Sequence, residues 1–143
     1  MPSIPSRCRR STAGWTSSVS TGVVTFGHQS SIVEVLLSGD GDHTLLTLTH
    51  SVPVELAGTT AGALHVGPGQ DGALLGLALY LTGEVVGDPV AAANSPEVQN
   101  FNVSSIKEWV GAVEGFGAAD ADALSAAQQV ALAQFAPDLF RSE

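Results

Sequence analysis

β-Branched and apolar residues are concentrated between residues 23 and 49, in three short runs separated by polar residues. Runs of this length and composition predict strands at residues 23–26, 32–37 and 44–49. The last two are joined by Ser-Gly-Asp-Gly-Asp at residues 38–42, a sequence typical of the connection in a β-hairpin. The pattern therefore predicts a short antiparallel sheet.

The third predicted strand has one face that is more apolar than the other. Successive strand side chains point to opposite sides of a sheet, so Leu46, Leu48 and His50 share one face. We predict that this face is the more buried one. The opposite face carries His43, Leu45, Thr47 and Thr49.

Helical spacing of apolar residues follows a glycine-rich stretch at residues 58–69, which we interpret as a connector. Asp71 is placed to cap the helix, and Gly83 stands where a helix C-terminus often has glycine. Leu75 and Leu79 form a second apolar edge, which indicates a helix covered on more than one side. The main apolar positions of this helix are Leu74, Leu77, Ala78 and Leu81.

Proline follows a capping residue at Asp88-Pro89 and at Ser95-Pro96. This pair is typical of helix N-termini, because proline lacks only an N–H that the first turn does not use. A further helix is predicted at about residues 120–135, ending before the next proline. The predicted buried stripes are Val98, Phe101, Ser105, Trp109 and Ala112 in the earlier helix, and Leu124, Ala127, Ala131 and Phe135 in the later one.

The order of elements, strands first and helices afterwards, predicts an α+β fold with about three strands, a main helix and C-terminal helices. The chain has 143 residues, of which 44% are apolar and 13% are charged, so it can bury the core of one domain. Its best apolar stretch, residues 73–81, is far shorter than the roughly 18 to 20 residues of a membrane-spanning helix. We therefore predict no membrane span.

The charge distribution argues against nucleic acid as a partner. The net charge is −9, and no Lys or Arg occurs between Ser11 and Ile106. An acidic surface repels a phosphate backbone, and a basic groove cannot form without basic residues.

The first 20 residues differ in composition from the remainder, with Ser, Thr and Arg and no acidic residue. We expect residues 1–20 to be a disordered lead-in, residues 21–137 to be the folded domain and residues 138–143 to be a tail. The single cysteine, Cys8, excludes an internal disulfide, and no apolar segment of a secretory signal follows the arginines. These features predict a cytoplasmic protein.

The four histidines do not form a metal-ligand pattern. His43 and His50 lie an odd number of residues apart on one predicted strand, so their side chains point to opposite faces. His28 and His65 are far from both along the chain, and we expect no metal site and no cofactor. His50 differs from the others because it ends the apolar face of its strand.

Other catalytic motifs are absent from the sequence. There is no Gly-x-Ser-x-Gly, and the acids at Asp40, Asp42, Asp120 and Asp122 occur where turns and helix starts use them. The glycine-rich residues 67–72 lead into a helix but lack the Lys-Ser/Thr of a phosphate-binding loop. We interpret them as a bend before the main helix.

Three segments resemble the SRPBCC or START-like helix-grip superfamily, in the branch similar to actinobacterial activators of heat-shock-protein ATPase. They are the hairpin at residues 32–50 with its Gly-Asp-Gly, residues 66–79 before and within the main helix, and residues 95–109. The resemblance implies a curved sheet around a long C-terminal helix, enclosing an apolar cavity.

The resemblance covers only the later part of a complete helix-grip domain. The opening strand, the paired helices and the first sheet strands have no counterpart before Thr21, and Gln70 replaces a tryptophan common in the family. We therefore expect an N-terminally truncated family member.

The resulting functional prediction is a noncatalytic binding module for a small hydrophobic, lipid-like or polyketide-like ligand. One alternative is a cyclase- or hydrolase-like enzyme in which His50, paired with Glu34 or Glu55, acts as acid or base. Another is an interaction or chaperone-regulator fragment that forms a homodimer through the sheet edge at residues 23–26. The predicted ligand-binding residues are Val33, Val35, Leu46, Leu48, His50, Leu74, Leu77, Ala78 and Leu81.

Overall fold

A computed structural model describes residues 20–84, 87–117 and 119–141, with only the backbone described at Phe26 and Asp40. The chain divides into two compact units between Val52 and Pro53. We call the described residues before this point the sheet unit and those after it the helical unit.

The sheet unit is a three-stranded antiparallel sheet in the order β1-β2-β3, as predicted. The strands are β1 (Ser20–Phe26), β2 (His28–Asp40) and β3 (His43–Ser51), each longer than its apolar run. Because β2 is the central strand, the described part of the sheet has β1 and β3 at its edges.

The predicted β2–β3 hairpin is confirmed, but its connection is shorter than residues 38–42. Asp40 pairs with His43, so only Gly41 and Asp42 form the turn. Gly41 has a φ of 61°, which is the positive value that two-residue hairpin turns require and that glycine adopts without strain. Backbone pairing therefore continues through Ser38 and Gly39, which the sequence had suggested were loop residues.

The predicted difference between the two sheet faces is also confirmed. Val33 pairs directly with His50 and Val35 with Leu48, so these side chains share a face. Val33 is only 7% exposed on this face, whereas Leu45 on the other face is 58% exposed.

The helical unit contains six α-helices and one 3₁₀ helix within its described residues. The 3₁₀ helix at Thr60–His65 begins at the Thr59 side chain, whose Oγ1 accepts a hydrogen bond from the Ala61 N–H. The α-helices are α1 (Val54–Ala57), α2 (Gly67–Leu81), α3 (Pro89–Ala93), α4 (Pro96–Phe116), α5 (Ala121–Phe135) and α6 (Pro137–Phe140). Together with the sheet, this order of elements confirms the predicted α+β class.

The predicted start of the main helix is wrong. Helix α2 begins at Gly67, so residues 58–69 are not an irregular connector, and Asp71 lies in the second turn and does not cap the helix. Pro68 suits the first turn because its fixed φ is already helical and its missing N–H has no partner there to lose. The helix ends at Leu81, and Gly83 with a φ of 85° follows at the predicted place.

The other predicted helix starts are confirmed by side-chain caps. Asp88 Oδ1 accepts from the Val90 N–H at 2.9 Å at the start of α3. Ser95 Oγ accepts from the Val98 N–H at 3.3 Å at the start of α4. Asp120 Oδ1 caps α5 in the same way.

The core of the helical unit is formed by the 3₁₀ helix, α4 and α5. Leu64 and Ala131 are 0% exposed and Ile106 is nearly so. The predicted α5 stripe is confirmed, since its first three residues are buried and Phe135 packs on the core. The predicted α4 stripe is confirmed in part, since Ser105 is buried and Trp109 packs on the core, whereas Ala112 is exposed. The stripe did not include the other buried residues of this helix, which are Gln99, Asn102, Ile106 and Val113.

No helix in the described part of the chain is long and apolar enough to cross a membrane.

Candidate functional site: an apolar cleft beside helix α2

A cleft of about 480 Å³ lies in the helical unit, beside α2 and between it, α3, α4 and the end of α5. Volumes in this range are typical of small-molecule sites. The lining is formed by Pro68, Gly69, Gly72, Leu75, Gly76, Leu79, Pro89, Ala92, Ala93, Asn94, Val98, Asn102, Gln134 and Phe135.

Two glycines leave space along the α2 side of the cleft. Gly72 and Gly76 are four residues apart and therefore occupy the same face of the helix. A Cβ added at Gly76 would meet no atom within 4 Å, which shows that the space beside this glycine is open. Leu75 and Leu79 are also four residues apart and contribute apolar side chains to the same cleft.

Helix α2 is held against α4 by a close backbone approach at its first residue. A Cβ added at Gly67 would overlap the indole ring of Trp109. Only glycine therefore lets α2 begin at this distance from α4.

A hydrogen-bonded group one turn further along α2 fixes the same contact. The Asp71 Oδ2 atom accepts from Ser105 Oγ at 2.6 Å and from Trp109 Nε1 at 2.9 Å. These two hydrogen bonds compensate for the partial burial of the carboxylate, because hydrogen bonds to an ionised group are stronger than those between neutral groups. Asp71 therefore positions the glycine face of α2 toward the cleft.

Two buried amides on α4 position the remaining walls. The Asn102 Nδ2 atom donates to the Phe135 carbonyl at 2.7 Å and so ties α4 to the end of α5. The Gln99 Nε2 atom donates to the Asn94 carbonyl and to Asp138 Oδ2, and its Oε1 accepts from the Asp138 N–H, all at 2.9 Å. Polar side chains can be buried in α4 because each of these bonds replaces one to water.

The cleft lining carries no charged side chain. Its polar members are the amides of Asn94, Asn102 and Gln134, and the others are apolar or glycine. Among the described residues, no group of three or more His, Cys, Asp or Glu side chains is arranged to hold a metal ion. The cleft is chemically suited to a ligand that is mostly apolar.

The nine residues predicted from the sequence lie elsewhere. Five belong to the more buried face of the sheet: Val33, Val35, Leu46, Leu48 and His50. Four are on α2, where Leu74 is half-buried and the others are exposed: Leu77, Ala78 and Leu81. None of the nine lines the cleft, and their role in binding stays a prediction.

His50 has a polar neighbour that the sequence did not single out. Its Nε2 atom lies 2.8 Å from Ser31 Oγ on β2, and Ser31 is buried. These two residues are diagonal neighbours on the same sheet face, because Val33 is the direct partner of His50. His43 and His65 are exposed, and His28 Nδ1 accepts from the Ser30 N–H.

Comparison with protein-family models, with curated proteins and with solved structures finds no match to this chain.

Proposed function

We propose that the protein is a noncatalytic binding module whose helical unit takes up a small hydrophobic ligand in the cleft beside α2. The observation that carries this proposal is an uncharged, largely apolar cleft of about 480 Å³ with three glycines, Gly69, Gly72 and Gly76, on one wall. When a ligand displaces water from the apolar surface of such a cleft, the burial of that surface stabilises the complex by about 25 cal/mol per Å².

The structure of the walls supports a preformed site. The hydrogen bonds of Asp71, Gln99 and Asn102 hold α2, α4, α5 and α6 together without any ligand. A site that does not need to be ordered on binding loses less affinity to conformational entropy. A hydrophobic ligand therefore enters a cleft whose walls are already positioned.

The test is to fill the cleft from its open side. In Gly76→Leu, a side chain enters the space in which an added Cβ meets nothing within 4 Å. The matched control is Gly111→Leu, at an exposed glycine within α4 that does not line the cleft and is also free of neighbours within 4 Å. Both changes replace helical glycine by leucine, which favours the helix by about 0.8 kcal/mol.

Binding is measured by titration with Nile red, a neutral fluorescent hydrophobe, and by native mass spectrometry of the purified chain. We expect the unchanged protein and Gly111→Leu to bind the dye with equal affinity, and Gly76→Leu to bind at least tenfold more weakly. Equal binding by all three proteins, or no binding by any, would show that the cleft is not a ligand site.

A second candidate function is favoured by the distance between Ser31 Oγ and His50 Nε2. A serine hydroxyl bonded to an imidazole is the arrangement used for acyl transfer. In that reaction the Ser31 oxygen bonds to the carbonyl carbon of an ester while its proton passes to His50. The ester C–O bond then breaks, the alcohol leaves with that proton, and water releases the acid.

This candidate is tested with p-nitrophenyl acetate and peptide mass spectrometry. An acyl-transfer function predicts an acetyl group on the peptide that contains Ser31, lost in Ser31→Ala and in His50→Gln. The matched control is Ser30→Ala, one residue away and facing the other side of β2. Acetylation that is absent, or unchanged in Ser31→Ala, excludes this function.

The sheet edge supports a third possibility, a homodimer. Strand β1 lies at the edge of the described sheet, and its residues Val23 and Val24 are largely exposed. Exposed apolar edge strands pair readily with another chain. The native mass spectrum that detects a ligand also reports a dimer, and Val23→Lys should return a dimer to monomer. A monomer at all concentrations contradicts it.

A further inference from the structure

The cleft contains a largely buried amide oxygen whose hydrogen-bonding capacity is not used by the described residues. Asn102 is only 7% exposed, and its Nδ2 atom donates to the Phe135 carbonyl. A carbonyl can pair only with a donor, so this bond assigns the nitrogen to the Phe135 side and the oxygen to the other side. Asn102 Oδ1 accepts no hydrogen bond from the part of the chain that the structure describes.

The position of Asn102 Oδ1 places it on the wall of the cleft beside Gly72. A Cβ added at Gly72 would stand 3.9 Å from this oxygen, and both residues line the cleft. Among the described residues, Thr60 Oγ1 is the side-chain atom that is fully buried and has no hydrogen-bond partner. Asn102 Oδ1 also has no partner there but does not meet this description, so it is not fully buried. An acceptor on a residue that is nine-tenths buried and lines a cleft is available to a donor on a ligand.

The charges around the cleft select against an anionic ligand. The lining has no Lys, Arg or His, and the protein has a net charge of −9. The N-terminus of α2, which could attract an anion, has the Asp71 carboxylate in its second turn. No carboxylate lines the cleft to pair with a cationic group either.

We propose that the cleft takes an uncharged amphiphile whose hydroxyl or amide N–H donates to Asn102 Oδ1, while its apolar part lies along Leu75 and Leu79. This inference rests on the proposed binding function and names the ligand class of the same cleft. The hydrogen bond orients the ligand, because Asn102 lies on one wall and the apolar α2 side chains line another.

The test compares three ligands with the same ten-carbon chain by displacement of Nile red. 1-Decanol has a donor, its methyl ether has only an acceptor, and decanoate carries a negative charge. We expect decanol to bind about five- to tenfold more tightly than the ether, the ratio that one net hydrogen bond of about 1 kcal/mol provides. Decanoate should bind more weakly than decanol.

Two glycine variants test the hydrogen bond. Gly72→Ala adds a methyl group beside Asn102 Oδ1, whereas Gly111→Ala, the matched control, adds one to α4 outside the cleft, where nothing lies within 4 Å. Gly111→Ala should keep the preference for decanol over its ether, and Gly72→Ala should lose it.

The outcomes distinguish this inference from the proposed function. If the three ligands displace the dye equally, or decanoate displaces it best, the inference is wrong and the hydrophobic binding function stands. If the preference for decanol survives unchanged in Gly72→Ala, Asn102 is not the acceptor and the inference is again wrong. If neither the dye nor any of the ligands binds, both fail together.

Discussion

The sheet unit and the helical unit are ordered by different interactions. In the sheet unit, β2 pairs with β3 through nine consecutive residue pairs, yet Ser31 and Val33 are its only buried residues among those described. In the helical unit, Leu64 and Ala131 are fully buried, and polar side chains bridge between helices. The sheet is therefore defined by backbone pairing, and the helical unit by side-chain burial.

This difference indicates where a substitution has the greater effect. Backbone hydrogen bonds do not depend on which side chain is present, so a paired strand tolerates many replacements on an exposed face. A close-packed core loses both transfer free energy and contacts when a side chain is shortened. We expect the helical unit to be the more sensitive of the two, and three predictions test this expectation.

The largest effect is expected for Leu64→Ala in the 3₁₀ helix. Leu64 is 0% exposed and belongs to the core formed with α4 and α5. Removing a buried leucine side chain should lower the free energy of unfolding by about 2 to 5 kcal/mol. Urea denaturation followed by circular dichroism at 222 nm measures it, with Leu81→Ala as control because Leu81 is 74% exposed. Equal losses in the two variants would contradict the described core.

A smaller effect is expected for Gly67→Ala at the start of α2. The added methyl group overlaps the Trp109 indole, so α2 and α4 must move apart, at a cost of about 2 to 3 kcal/mol. Gly76→Ala is the matched control in the same helix, where open space should give a gain of about 0.5 to 1 kcal/mol. The same urea titration measures both, and two changes of the same sign would show that the Gly67–Trp109 contact is not formed.

The smallest effect is expected in the sheet unit. Val33→Ala removes two methyl groups from a residue that is 7% exposed and should cost about 1 to 1.5 kcal/mol, whereas Leu45→Ala on the exposed face should cost less than about 0.5 kcal/mol. Hydrogen exchange of peptides covering β2 and β3 measures the local stability. If Leu45→Ala lowers the local stability more than Val33→Ala does, the assignment of the buried and exposed faces is wrong.

Local sequence was sufficient for the elements that local chemistry determines. The caps at Asp88, Ser95 and Asp120 lie where the sequence predicts them, because a capping side chain bonds a backbone N–H two or three residues later. The strands are also predicted well, although their ends extend further because pairing with a neighbour continues past the apolar residues.

The early start of α2 and the polar stripe of α4 depend on contacts between distant residues. The start of α2 depends on Trp109, which packs against Gly67 and donates a hydrogen bond to Asp71. Asn102 can be buried because its Nδ2 atom donates to the Phe135 carbonyl. A pattern based on hydrophobicity places amides on the surface, so it assigned Phe101 instead of Asn102 to the buried stripe. Only the packing of the helices shows that these amides have partners.

The face of α2 that forms the cleft was not predictable for a different reason. Leucine or alanine occurs on more than one side of this helix, so spacing alone does not distinguish Leu74 and Leu77 from Leu75 and Leu79. The glycines at positions 72 and 76 were the available signal, since two glycines on one helical face leave room for a neighbour or a ligand. The sequence pattern alone indicated only a bend at residues 67–72.

The two-residue turn at Gly41 and Asp42 has a consequence for the order of folding. It joins β2 and β3 so that paired residues range from Asp40 and His43, next to the turn, to Ile32 and Ser51 at the far end of the hairpin. Hairpins with such local contacts form in about 1 to 10 μs, because little chain entropy is lost in closing the loop. The core of the helical unit must instead bring Leu64 to Ala131 across most of that unit. During synthesis, the hairpin can therefore be complete before the ribosome has released the residues that bury Leu64.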